Sequence, residues 1–142
     1  MTLHEFLALE HRFKWAGHGF TGRGEVFNDC FTFPASWVQR LTGVDVAREY
    51  RGSYASKDQA DAIIAAAGGM VELAGRQLAL VNACPVETLR DGDVGVVEAP
   101  QGDDVKLVGA IRFGPLWAVL TPGRVIAKKL DHVAAWRVPA CA

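Results

Sequence analysis

From Asp91 to the end, the sequence alternates turn signals with short apolar runs, and this constrains the fold more than any other feature. Asp91-Gly92-Asp93 is a turn, and VGVVEA follows as an apolar strand. Gln101 to Asp104 turns the chain again, into VKLVGAIRF. Gly114-Pro115 separates that strand from WAVL, and Pro122-Gly123 precedes RVIAKKL. HVAAWRV closes the run as a short helix or strand. Sequential strands with tight connections pair antiparallel, so this half reads as a meander.

The first half has a different period. Thr2 and Glu5 form a capping box, with Leu3, Phe6, Leu7 and Leu9 as its apolar face. A glycine-rich loop is expected from His11 to Phe27. A second helix is expected from Asp29 or Cys30 to Thr42, capped by Asn28 or Asp29 and stopped by Gly43. Ser56 and Gln59 open a third helix that Gly68-Gly69 ends, and Met70 to Leu80 reads as a short fourth. Val44 to Tyr54 fits no single period. Helices first and an antiparallel sheet after predict an α+β fold. A chain of 142 residues without a linker or repeat suits one domain, residues 1–142.

Charge and composition exclude several classes. The net charge is -1 with both signs interspersed, so no basic footprint for nucleic acid is present. The longest apolar run, around Ala62 to Ala67, is far short of the roughly 20 residues of a membrane span. The N-terminus lacks the features of a signal peptide. Three cysteines, Cys30, Cys84 and Cys141, are an odd number at wide, irregular spacing, so no disulfide framework is expected and synthesis in a reducing compartment is.

No cofactor or metal motif stands out. Gly17, Gly19 and Gly22 spell G-x-G-x-x-G, but a helix precedes them and a polar loop follows. A dinucleotide site needs the reverse, a strand before and a helix N-terminus after. His4, His11 and His18 are spaced seven apart, and there is no C-x-x-C, so zinc ligation is not indicated.

Cys30 is the candidate for chemistry. It follows Asn28-Asp29 at the expected start of the second helix, where unpaired N–H groups and the helix dipole favour an anion. Such a place lowers a thiol pKa and suits a nucleophile. The other use of a cysteine there is as a small apolar residue in the core, and position alone leaves both open. A thiol nucleophile also needs a base. The strands from Asp93 to Leu130 contain no histidine. His132, beyond the strands, and His18, in the glycine loop, are the candidates.

Asp29-Cys30-Phe31-Thr32, Gly92-Asp93-Val94 and Leu107-Val108-Gly109-Ala110 together resemble the NlpC/P60-like branch of the papain-like cysteine peptidases. There the cysteine of D-C-x-x is the nucleophile, and a histidine opens the second strand in H-V-G-I. This chain has Leu107 at that position. A closer likeness is to small phage and prophage proteins of this fold, whose genes lie among those for long tails. It is carried by Phe13-Lys14-Trp15 with Gly17, Thr32-Phe33 with Trp37-Val38, and Ala135-Trp136-Arg137-Val138, with about ten extra residues, His18 to Phe27, before Asp-Cys.

The resemblance implies a papain-like fold, its N-terminal helices packed on a C-terminal antiparallel sheet or half-barrel. It implies a tail tip protein of a phage, prophage or gene-transfer particle that keeps the peptidase fold without its catalysis. Such a protein is made in the bacterial cytoplasm and carried in the virion tail. Its partners are other tail tip proteins, the hub and distal tail proteins. One alternative is an active thiol peptidase or amidase cutting peptidoglycan peptide during genome entry. Another is a tail assembly chaperone or an intracellular binding domain. Phe33, Trp37, Val96 and Ile111 are expected to join the helical and strand halves.

Overall fold

The computed structural model describes residues 1–138. Cys141 lies outside that range. The helices are α1 (Leu3–Leu7), α2 (Phe33–Thr42), α3 (Lys57–Ala66) and α4 (Met70–Leu78). Three short strands, β1 (Glu10–Phe13), β2 (Gly19–Phe20) and β3 (Glu25–Asn28), lie between α1 and α2. Then come β4 (Cys84–Pro85), β5 (Val94–Gln101), β6 (Asp104–Phe113), β7 (Leu116–Leu120), β8 (Val125–Lys128) and β9 (His132–Arg137). The fold is α+β, built on a six-stranded antiparallel sheet of order β4-β9-β5-β6-β7-β8. Among the described residues no single helix is long and apolar enough to cross a membrane.

Local signals set much of this. The Thr2–Glu5 capping box is reciprocal, with Thr2 N–H donating to Glu5 Oε1 and Glu5 N–H to Thr2 Oγ1, each at 3.1 Å. Ser56 caps α3 through Gln59 N–H. Gly43 ends α2 in the left-handed region at φ 81°, where a side chain is disfavoured. Val44 to Tyr54 resolves into a single 3-10 turn, Arg48–Tyr50.

Three expectations are corrected. Residues 11–27 are not one loop: β3 pairs parallel with β1 and antiparallel with β2, a second small sheet. The terminal HVAAWRV is a strand that returns beside β5, so the large sheet is more than a meander. Cys84 is disulfide-bonded, so the cysteine spacing hid a pairing; Cys30 is free.

Alternation along the strands divides the sheet into two apolar faces. Val94, Val96, Ile111, Ala118, Leu120 and Trp136 join Phe6, Phe33, Trp37 and Val38 in the main core. Val97, Val108, Ala110, Trp117, Val119 and Ala135 form a second cluster. The four expected anchors, Phe33, Trp37, Val96 and Ile111, all lie in the main core at no more than 4% exposure. Burial of each contributes about 1.5–3 kcal/mol. Trp37 also donates its indole N–H to Gly92 O at 2.9 Å, tying α2 to the turn before β5.

Helix α2 meets β6 at Gly109. A Cβ there would stand 2.9 Å from Pro34 Cδ and Cγ and 3.1 Å from Phe31 O. Only glycine permits this approach, and it brings the segment before α2 against β6.

Candidate functional site

The segment Asn28-Asp29-Cys30 leaves β3 and enters α2 through a turn. Helix α2 begins at Phe33 with Thr32 as its N-cap residue, so the expected start at Asp29 or Cys30 is corrected by about one turn. Pro34 falls in the first turn, where its missing N–H costs no intrahelical bond. Asp29 shapes the turn ahead of it. Its Oδ1 accepts the N–H groups of Phe31 and Thr32, both at 2.8 Å, and its own N–H donates to Thr32 Oγ1 at 3.1 Å. The side chain thus closes a tight turn ahead of the helix.

Asp29 has a second set of partners. Its Oδ2 accepts Ala16 N–H at 2.9 Å and the Tyr54 hydroxyl in a short hydrogen bond. Ala16 is fully buried at φ 64°, a conformation alanine seldom adopts. Gly17 beside it could not carry a side chain, since a Cβ would lie 2.3 Å from Phe27 O. The Trp15-Ala16-Gly17 corner is therefore pressed against the end of β3, and Lys14 N–H donates to Asn28 O at 2.8 Å. This is how the Phe13-Lys14-Trp15 motif and the Asp29-Cys30 motif meet. The G-x-G-x-x-G glycines serve this turn and the one after it, and they open no helix.

Asn28 anchors a parallel network. Its Oδ1 accepts Thr32 Oγ1 at 3.0 Å and Arg51 Nη1 at 2.6 Å, and its Nδ2 donates to Ser36 Oγ at 2.9 Å. Arg51 in turn pairs with Asp45 at 3.1 Å. Buried polar groups bonded on several sides hold one geometry.

Cys30 sits between these networks and the sheet. Its carbonyl accepts Gly109 N–H at 2.9 Å. Its half-buried side chain packs on the second apolar cluster. The thiol is pushed up to about 12, first by burial and then by the neighbouring Asp29 carboxylate. Lys106 pulls it down, and Asp61 pushes it up again. The Lys106 ammonium is shared: it lies 3.5 Å from Asp61 Oδ1 and 4.8 Å from the centroid of the Phe31 ring. Of the two readings of this cysteine, burial favours the small apolar residue: Cys30 precedes the helix rather than opening it, and its thiol is held protonated.

The candidate bases lie elsewhere. His132 is an exposed residue of β9, its ring 5.6 Å from that of Trp117. His18 is exposed, with Nε2 2.8 Å from Lys14 Nζ and its ring edge-on to Phe27. Neither is among the groups that act on the Cys30 thiol. Leu107 is on β6 two residues before Gly109, packed against the main core. Among the described residues no three His, Cys, Asp or Glu side chains gather as a metal-ion site.

Sequence reasoning did not find Tyr54, Arg51 or Lys106. Tyr54 is 25 residues from Asp29 and carries no motif. Burial and the Asp29 charge both push its hydroxyl far up from the usual range. As a chemical unit the site is a rigid turn presenting a protonated thiol, with hydrogen-bonding capacity directed into the fold.

A family model, described as a domain of unknown function (DUF6950), matches residues 5–138. Neither a curated protein nor a solved structure matches the chain.

Proposed function

The chain belongs to the DUF6950 family, a domain of unknown function, and we propose that it is a non-catalytic tail tip component of a phage or prophage particle. In this reading its fold is a degenerate papain-like one of the NlpC/P60 type. The observation that carries the reading is the state of Cys30. Its thiol is held protonated by burial and by Asp29, with Leu107 where the resembling peptidases have a histidine. Without a positioned base, general base assistance of typically 10²–10⁴-fold is lost.

Two further features support the resemblance behind this reading. The turn bearing Cys30 bonds to the strand bearing Leu107-Val108-Gly109 through the Gly109 N–H. The Gly92-Asp93-Val94 and Ala135-Trp136-Arg137 motifs meet as well, with Arg137 Nε and Nη2 donating to the two oxygens of Asp93 at 3.0 and 2.9 Å. The short motifs are thus parts of one framework. A structural role puts its partners among the tail hub and distal tail proteins.

Mass spectrometry of purified particles, with Cys30→Ala particles as a second sample, tests the proposal. It expects the protein at fixed stoichiometry in both samples, with unchanged infectivity for the variant. Absence from purified particles overturns the structural role. Cleavage of murein peptide by the wild-type protein, lost in Cys30→Ala, overturns the non-catalytic one.

A further inference from the structure

Between the helices and the main face of the sheet lies an apolar cavity of about 90 Å³. Val38 of α2, Ile64 of α3, Leu73 and Ala74 of α4, Val96 of β5 and Trp136 of β9 line it. No charged side chain is among its described lining residues. Several of its polar groups are already engaged in hydrogen bonds. Thr32 Oγ1 donates to Asn28 Oδ1, and the Tyr54 hydroxyl donates to Asp29. Gln77 Nε2 donates to Val46 O and Glu49 Oε1, both at 2.8 Å, and the Tyr50 hydroxyl accepts from Arg76 Nη2 at 3.3 Å.

Such a space, lined mostly by carbon, offers water few partners, and a buried water needs about two to four. Its volume is several times the roughly 10–15 Å³ that admits one water, and about three-fifths of the roughly 150 Å³ of an apolar cavity known to take benzene. It is far too small for a helix or strand of a partner protein. Ile63, Ile64, Leu73 and Ala74 line it and are half-exposed, which gives an entry between α3 and α4.

We propose that this cavity is a binding site for one small, uncharged apolar molecule, of the size of a single aromatic ring or a short alkyl chain. The site is separate from the tail tip role and does not depend on it. Lining methyls and the Trp136 ring supply dispersion contacts, and the lack of a lining charge selects against ions.

Methyl NMR of the full chain, titrated with toluene and separately with benzoate, tests this. Toluene is expected to give saturable shifts at Ile64, Leu73, Leu78 and Val96, while exposed Val105 and Val133 stay still. Benzoate, of similar shape but charged, is expected to shift none of them. Ala74→Phe fills the space and is expected to weaken toluene binding by about tenfold or more. Should that variant not fold, Ala74→Leu takes its place, and the toluene–benzoate contrast in the wild-type protein stands without either. The proposal is overturned if toluene gives no saturable shift up to its solubility. It is equally overturned if benzoate binds as well, or if a folded, filled variant binds toluene unchanged.

Discussion

Asp29 and Asp93 are both buried carboxylates in tight turns, and they are satisfied in opposite ways. Asp93 faces a cation: Arg137 clamps both its oxygens, and Arg90 N–H adds a bond at 2.7 Å. Its charge is neutralised where it stands, and its work is to join β5 to β9. Asp29 has four neutral donors and no cation within bonding distance among the described residues. Its hydrogen bonds are complete, but its charge is not offset, and it acts on its neighbours. Burial first, and then its charge, push up both Cys30 and Tyr54. Hydrogen bonding and charge compensation are separate requirements, and a carboxylate that meets only the first suppresses ionisation around it.

The largest effect is expected for Asp29→Ala. It strands three backbone N–H groups and a hydroxyl in a buried turn, where each unmet donor costs about 1–3 kcal/mol. A loss of at least about 3 kcal/mol is predicted, read as a lower urea midpoint with unchanged slope. A near-neutral result would mean the turn does not depend on Asp29. Arg137→Leu comes next, because it leaves Asp93 buried with only the Arg90 N–H. Its melting temperature should fall, and Arg137→Lys should recover part of the drop, since lysine restores charge but not the two-pronged contact. Full recovery by lysine would show that charge alone matters at Asp93.

Asp29→Asn is a smaller change that removes charge and keeps shape. Tyr54 should then ionise at lower pH, measured by ultraviolet difference absorbance. An unmoved Tyr54 would assign its shift to burial alone. The smallest effect concerns His11, which has a hydrogen-bond partner at one ring nitrogen and, among the described residues, no carboxylate paired with it. Its Nε2–H donates to Phe6 O at 2.7 Å, its Nδ1 is buried without a partner, and burial pushes its pKa down. The unfolded chain therefore takes up a proton near pH 6.5 before the folded one does. Stability is full above that pH and declines as pH falls below it, levelling off below the folded value. His11→Phe should flatten that decline in urea melts at paired pH values. An equal decline in the variant would remove His11 from the account.

Local features of this fold were legible. The Thr2–Glu5 box, the Ser56 cap, the Gly43 stop and β5 to β8 follow from short-range pattern. The small β1-β3-β2 sheet was not. Glu10-His11-Arg12-Phe13 has no apolar alternation, and its partner strand is about fifteen residues away. The motif residues Asp29, Cys30, Asp93 and Arg137 could be picked out, but their roles could not. Asp93 and Arg137 are 44 residues apart, and the state of Cys30 depends on Asp29, Lys106 and the packing around them. The electrostatics of a site belong to its three-dimensional neighbours, and here those neighbours suppress the ionisation that a helix N-terminus alone favours.

The alkylation rate of Cys30 against pH, followed on the Cys30 peptide by mass spectrometry, tests this suppression most directly. A rate that keeps climbing through pH 10, with no plateau, is the predicted result. A plateau with a midpoint below the roughly 8.5 of an ordinary cysteine would contradict it, because the thiol would then be activated rather than suppressed.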